Sequence, residues 1–412
     1  MNPKWKQILK DKSGAVAIYV GLVGVALIMF TALTIDVNHV YGVRNELQNA
    51  ADAGALAGAS SLMDDSTSDL TVEQARAAAI EIATSNTTGK KYVAEPEVRI
   101  GHWSFIEKEF TASENTTQAD WQGRSFEELD GDLDFINAVK VTTARGDTPS
   151  FFAKIFGIDG FEVRADAIAW IGFAGTLFVD DVDWPLAICE EAITVDGVYQ
   201  CNVGRMLNDG NNSSTAETAM WTNYSQPCTT ASNSDMKSIT GECDAGNKAP
   251  LQFGQGMGTQ NGVQDNIFDN LVKCWTANAD SDGDNVPDQP WTMVLPVIDC
   301  SESNTCSPLR GAVEVVIPWI VHKNDPQMKE VPRKMGDWSC PESDDGLSCW
   351  KKFVDHFQLE NLSGPPETDA DYQDMYQKKN VFFQTSCNEL EPRGTSGGDN
   401  FGVWADVPVL VE

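Results

Sequence analysis

The chain is predicted to be α+β. A long amino-terminal helix crosses a membrane and extends beyond it, a small α+β module follows, and a β-rich, disulfide-containing carboxyl-terminal domain completes it. Three features lead there. Residues 15–35 form an apolar run without charge or proline, and helix-forming sequence continues to Ala59. After Asn86 the apolar residues change from helical spacing to alternation. All ten cysteines lie in the last 224 residues, within sequence rich in Asn, Ser, Thr, Gly and Asp. The expected divisions are a basic segment at 1–14, a transmembrane helix at 15–35, its extension at 36–60, an α+β module at 61–175 and a disulfide-rich β domain at 176–412.

The twenty-one residues from Ala15 to Ile35 span roughly 30 Å at about 1.5 Å per residue, the thickness of a bilayer core. Lys4, Lys6, Lys10 and Lys12 precede the run against a single Asp11, while Asp36 and only one nearby base, Arg44, follow it. By the positive-inside rule the amino terminus is cytoplasmic and the bulk of the chain is exported. A cleaved signal peptide would carry an apolar region of about 7–15 residues and then a small-residue cleavage site. This run is longer, and Ala55 and Ala57 lie far beyond it in helical sequence.

The net charge of the 412 residues is −32, and the basic amino terminus makes the remainder more acidic still. Such a surface repels phosphate backbones, which argues against a nucleic-acid partner, and its sign suits divalent cations. The cysteines are Cys189, Cys201, Cys228, Cys243, Cys274, Cys300, Cys306, Cys340, Cys349 and Cys387. Their even count in the exported part implies disulfides formed in an oxidising compartment, and the absence of any C-x-x-C argues against zinc. Cys300–Cys306 and Cys340–Cys349 are spaced for local loops, but spacing leaves the connectivity open.

Beyond the apolar run, Ala50, Gly54 and Gly58 recur every four residues, as do Ala51, Ala55 and Ala59. These rows share one helix face and admit a closely packed backbone. The neighbour is either a partner helix in an assembly or the chain's own next helix. Gly21 and Gly24 repeat the pattern more weakly. Thr71-Val-Glu-Gln74 reads as a capping box opening a helix to about Thr84. Asp64, Ser66 and Ser68 match the metal-site string of von Willebrand A-type domains, but a helix precedes them where that domain has a buried strand, so coincidence accounts for the match. Strands are expected at Val98–Ile100, Val139–Val141 and Phe161–Ala169, with a short apolar helix from Pro149 to Gly157.

The run from Gly14 to Ala59, with its core Leu47-Gln-Asn-Ala-Ala-Asp-Ala53, resembles the TadE/TadG-like family of Flp (tight-adherence) pilus-assembly proteins. A second block, Asn137–Thr142 followed by PSFFAKIFGIDGFEVRADAIAW, resembles the same family's periplasmic portion. The likeness covers roughly residues 10–175, and the long tail is more similar to the TadG branch. It implies an inner-membrane protein that assembles or anchors Flp-type pili with other proteins of that machinery. One departure is that Gly14 is followed five residues later by Tyr19, where pilin processing requires glutamate.

In the tail, strands are expected at Met293–Ile298 and Ala312–Val321, and the segments NDGNNSSTAETA and FGQGMGTQNGVQ are expected to be loops. Asp280, Asp282, Asp284 and Asp288 occupy alternate or near-alternate positions of one short stretch. Carboxylates converging in a tight loop suit a hard cation that takes six to eight oxygens, so a structural calcium ion is expected. The string resembles the calcium loops of thrombospondin type 3 repeats. An EF-hand is excluded, because Asn285 and Trp291 stand where glycine and glutamate are required. His39, His102, His322 and His356 are dispersed, no H-E-x-x-H, G-x-S-x-G, P-loop or Rossmann string occurs, and His102 reads as a packed residue. The expectation is a non-catalytic assembly or anchoring protein, with helix-mediated oligomerisation through the small-residue face. A surface adhesin acting through the tail and a cell-envelope hydrolase are the alternatives.

Overall fold

The structure is a computed structural model and describes residues 13–64, 69–208, 220–229, 231–260, 265–301, 305–322, 327–360, 364–387 and 391–411. The basic residues Lys4 to Lys12, the serines 66 and 68, and most of the NDGNNSSTAETA segment lie outside them. Helix α1 runs unbroken from Ser13 to Ser60. No proline interrupts it, so every turn keeps its backbone hydrogen bonds. Its first half is bare: Ile18, Val20, Leu22, Ile28 and Phe30 are all exposed. From Val43 onward one face is buried, with Leu47, Ala50, Ala51, Ala55 and Ala59 fully enclosed.

What encloses them is helix α2 (Val72–Ser85) and an antiparallel sheet of β1 (Glu97–Ser104), β2 (Glu109–Ala112), β3 (Ala138–Pro149) and β4 (Gly160–Trp170). The order across it is β4-β3-β1-β2. Alternate residues of the strands, Val98 and Ile100, Val139 and Val141, Ala167 and Ala169, point at the helices and form one core with Ala51, Ala55, Ala75 and Ala79. The segment 36–60, expected as the extension of the membrane helix, is largely the first helix of the module. Its seat is pinned by polar bonds: Thr143 Oγ1 donates to Leu47 O at 3.0 Å, and Gln48 Nε2 donates to Asp166 O at 3.0 Å. The expected capping box of α2 does not form. Thr71 makes no side-chain cap, because its hydroxyl donates instead to Ser61 O across the preceding turn. Between β3 and β4 the expected apolar helix is a single 3-10 turn, Ala153–Phe156, closed by Gly157 at φ 83°.

The second unit is built on β5 (Leu186–Cys189), β6 (Gly204–Asn208), β7 (Met220–Thr222), β8 (Gly256–Gln260), β9 (Trp291–Ile298), β10 (Cys306–Val321) and β11 (Asn380–Thr385). Strand β10 is long enough to pair successively with β8, β9 and β11. Because β9 also pairs with β5, the pairings β10-β8-β7-β5-β9-β10 close on themselves. Met220, Met257, Val294, Ile298, Leu309 and Ala312 share a core within this ring. Helix α3 (Phe126–Asp130) belongs to the first unit. Helices α4 (Asn233–Ile239), α5 (Asp265–Ala279), α6 (Gly346–His356) and α7 (Asp369–Met375) accompany the ring. Met236, Phe268, Leu271, Trp350, Phe353 and Met375 from these helices join Trp221, Val315 and Phe382 of the strands in the largest core.

Two expectations fail here. The FGQGMGTQ stretch is not all loop, since Gly256–Gln260 is β8. A Cβ on Gly258 would stand 2.3 Å from Thr229 O, and one on Gly256 would stand 2.6 Å from Cys306 Sγ. These glycines serve close approach inside a sheet, the role glycine takes where backbones crowd. The last residues also leave the second unit: Val409–Leu410 pairs with β4, and Trp404 packs on Phe173 at 4.8 Å between ring centroids in the first core. Asn400 Nδ2 donates to Trp121 O and Arg124 O, tying the same segment to the first unit.

Candidate functional site

The place where the exposed half of α1 meets the module is built around Asp36. The residue ends the apolar run, yet it is only 2% exposed. Its carboxylate accepts from the amides of Phe151 (2.8 Å), Phe152 (3.0 Å) and Ala153 (2.6 Å). Those three donors open the 3-10 turn and have no partner within it, so the carboxylate does from across the fold what a capping residue does locally. The His39 ring lies edge-on to Phe151 at 5.0 Å. The helix and the β3–β4 turn are thus bolted together at the level where the apolar run stops. Nothing in the sequence pairs residue 36 with residues 151–153.

The small-residue face is occupied from within the chain. A Cβ on Gly54 would stand 2.9 Å from Ala79 O, and one on Gly58 would stand 2.9 Å from Val139 Cγ1. Ala50, Ala51, Ala55 and Ala59 are 0% exposed. Of the two neighbours left open by the sequence, the chain's own next helix takes this face, which leaves no room on it for a partner helix. Gly21, Gly24 and Gly42, by contrast, have nothing within 4 Å of a built Cβ.

The acidic loop divides its four carboxylates. Oxygens of Asp280, Asp282 and Asp284 lie within 4.8 Å of one another. Asp280 is half-buried and accepts from the amides of Gly283 (2.7 Å) and Asn285 (2.8 Å), while Asp284 accepts from Val286 N at 2.7 Å. Burial would raise the Asp280 carboxyl, but these amides outweigh it and hold the group below its usual value. Gly283, at φ 81°, lets the chain turn this tightly. Asp288 does not join the other three. It is buried, accepts from Ser281 N (2.9 Å) and Ser281 Oγ (2.8 Å), and pairs with Lys334 at 2.6 Å. The lysine bond, with those from Ser281, brings its pKa down to about 2. A carboxylate oxygen keeps lone pairs free after accepting one amide, so the three-carboxylate cluster has the donor chemistry a calcium ion takes; Asp288 acts as a brace for the loop.

The ten cysteines form five disulfides: Cys189–Cys300, Cys201–Cys387, Cys228–Cys306, Cys243–Cys274 and Cys340–Cys349. The 340–349 loop is local as its spacing suggested, but no 300–306 loop forms. Cys300 follows β9 and reaches Cys189 at the end of β5, while Cys306 opens β10 and reaches Cys228 in the segment after β7. The histidines stand apart. His102 is fully buried, with Nδ1 2.7 Å from Phe135 O and Nε2 2.9 Å from Asp130 O. His322 pairs with Asp269 at 2.5 Å, and His356 packs edge-on to Phe357.

Two family models match the chain. Residues 14–61 match the model described as Flp pilus-assembly TadE/G-like, and residues 57–169 match the one described as Tad-like Flp pilus-assembly. The junction of the two matched stretches falls at the end of α1, and the second ends within β4. Neither the comparison with curated proteins nor that with solved structures gives a match.

Proposed function

We propose that this chain, whose residues 14–169 match models of TadE/G-like and Tad-like Flp pilus-assembly proteins, is a member of that family and a single-pass inner-membrane scaffold of its machinery. In this reading the amino terminus is cytoplasmic and everything after residue 35 is exported. The protein works without catalysis: it holds the exported, disulfide-tied unit at a fixed stance on the membrane and passes force or position between that unit and partners in the lipid. One observation carries this. The helix that is long and apolar enough to cross a membrane is the same unbroken helix whose other half lies in the module's core. Movement of one half is therefore movement of the other.

The test is a deletion strain complemented with the wild-type gene or with Tyr41→Pro. Proline inside a helix removes a hydrogen bond and costs about 3 kcal/mol or more, and Tyr41 is exposed, so no core contact is lost with it. Loss of pili in the deletion, restored by the wild type but not by a stably inserted Tyr41→Pro protein, supports the scaffold. Normal pili with lost attachment would instead favour an adhesin, and uncut envelope substrate a hydrolase.

Asp280, Asp282 and Asp284 favour one addition: a structural calcium ion in their loop, with Asp288 and Lys334 steadying its base. Calcium should slow proteolysis of the loop and raise the melting temperature, and Asp282→Asn should abolish both effects. No calcium-dependent change in either would remove the ion from the picture.

A further inference from the structure

We propose that the turn at 151–158 is a second membrane element, seated among the acyl chains of the leaflet on the module's side and lying against α1. This rests on α1 crossing the bilayer over 15–35. The turn presents Phe151, Phe152, Ile155, Phe156 and Ile158 at 56, 37, 79, 73 and 46% exposure. Five large apolar side chains bared within eight residues of an acidic protein mark a contact surface. Position selects the occupant. The turn and the helix wall a cleft of about 480 Å³, with Val25, Ile28 and Met29 on one side and Ile155, Phe156 and Ile158 on the other. At about 1.5 Å per residue, Val25 lies roughly 16 Å down the helix from Asp36. Hydrocarbon that surrounds Val25 to Met29 therefore also surrounds the tip of the turn.

The backbone of the turn suits that solvent. Polar backbone groups in hydrocarbon must be satisfied internally. Here the amides of Phe151, Phe152 and Ala153 go to Asp36, and those of Ile155, Gly157 and Ile158 go to Phe152 O, Lys154 O and Ala153 O. Lys154 is the lone cation of the turn, and its exposed ammonium lies no closer than 4.0 Å to Asp159. Its stem is long enough to carry the charge out to a lipid phosphate. The Asp36 clamp then fixes how far the turn reaches along the span.

Spin labels at three single positions of the full chain test this: Ile155→Cys in the turn, Phe30→Cys in the span and Tyr92→Cys on the module. All three native side chains are exposed, and every native cysteine is in a disulfide. In phosphatidylethanolamine–phosphatidylglycerol vesicles, power saturation compares collisions with oxygen, which enters lipid, and with a nickel chelate, which stays in water. The expected result is a label at 155 that follows the one at 30 into lipid, while the label at 92 reports water. A label at 155 that behaves like the one at 92, with 30 still in lipid, overturns the proposal and leaves the span intact. Shielding of 155 from both reagents means a protein covers the turn, which also overturns it. Water at both 30 and 155 removes the span and the proposal together. Phe156→Cys, read the same way, replaces Ile155→Cys if that variant fails to fold.

Discussion

Replacing Gly54 and Gly58 together by alanine should prise α1 away from α2 and the sheet. A Cβ at 54 meets Ala79 O at 2.9 Å and Ala83 Cβ at 2.9 Å, and one at 58 meets Val139 Cγ1 at 2.9 Å, Ala79 Cβ at 3.0 Å and Ala75 O at 3.1 Å. Comfortable carbon contacts lie at about 3.5–4.0 Å, and two of these neighbours are backbone oxygens that cannot swing aside. Overpacking of this kind costs about 1–3 kcal/mol per site. Against it, alanine improves helix propensity by about 1 kcal/mol over glycine. The pair should therefore lose about 2 kcal/mol net, a fall in Tm of about 4–8 °C for a unit of this size. Gly42→Ala is the control on the same helix: its Cβ meets nothing within 4 Å, so it should gain up to about 1 kcal/mol. The assay is thermal unfolding of the full chain in detergent by circular dichroism. A double variant that melts at or above the wild type would refute close packing of this face.

Asp36→Leu should speed hydrogen exchange at the amides of Phe151, Phe152 and Ala153 while leaving β3 and β4 protected; unchanged exchange would mean the clamp holds nothing. Lowering pH should loosen the 280–288 loop. The Asp288 pKa falls from 3.8 to about 2 on folding, so its contribution is complete above the unfolded value and is lost as pH drops through about 2. Lys334→Met should start that loss at higher pH, read from protease sensitivity across an acid series. Among the disulfides, the Cys201→Ser/Cys387→Ser pair opens a 186-residue loop and the Cys340→Ser/Cys349→Ser pair a 9-residue loop. Taken as lone cross-links these are worth about 5 and about 2.5 kcal/mol, so the first pair should lower Tm further.

Local patterns were legible and distant pairings were not. A proline-free run announces α1, and alternating Val98/Ile100, Val139/Val141 and Val163 to Ala169 announce β1, β3 and β4, because these depend on period alone. The faces of α5 and α6 were also written at helical spacing, in Ile267/Phe268/Leu271/Cys274/Trp275 and Cys349/Trp350/Phe353/Val354. Polar sequence on either side of both segments masks that pattern. The role of Asp36 was invisible, since its donors lie 115 to 117 residues on. The same holds for Asp288, whose lysine is 46 residues away; its nearness in sequence to Asp280, Asp282 and Asp284 gives no sign that it belongs elsewhere. The return of Val409–Leu410 to β4 rests on a two-residue strand, too short to carry any pattern.

Whether the exposed apolar half and the module half of α1 form one rod is answered by a single distance. Nitroxide labels at Phe30→Cys and Ser60→Cys, both exposed positions, are separated by thirty residues of helix, roughly 45 Å at about 1.5 Å each. Pulsed electron spin resonance on the protein in lipid should give one narrow distribution near that distance. A broad distribution, or a distinctly shorter one, would place a joint between the span and the module and contradict rigid coupling.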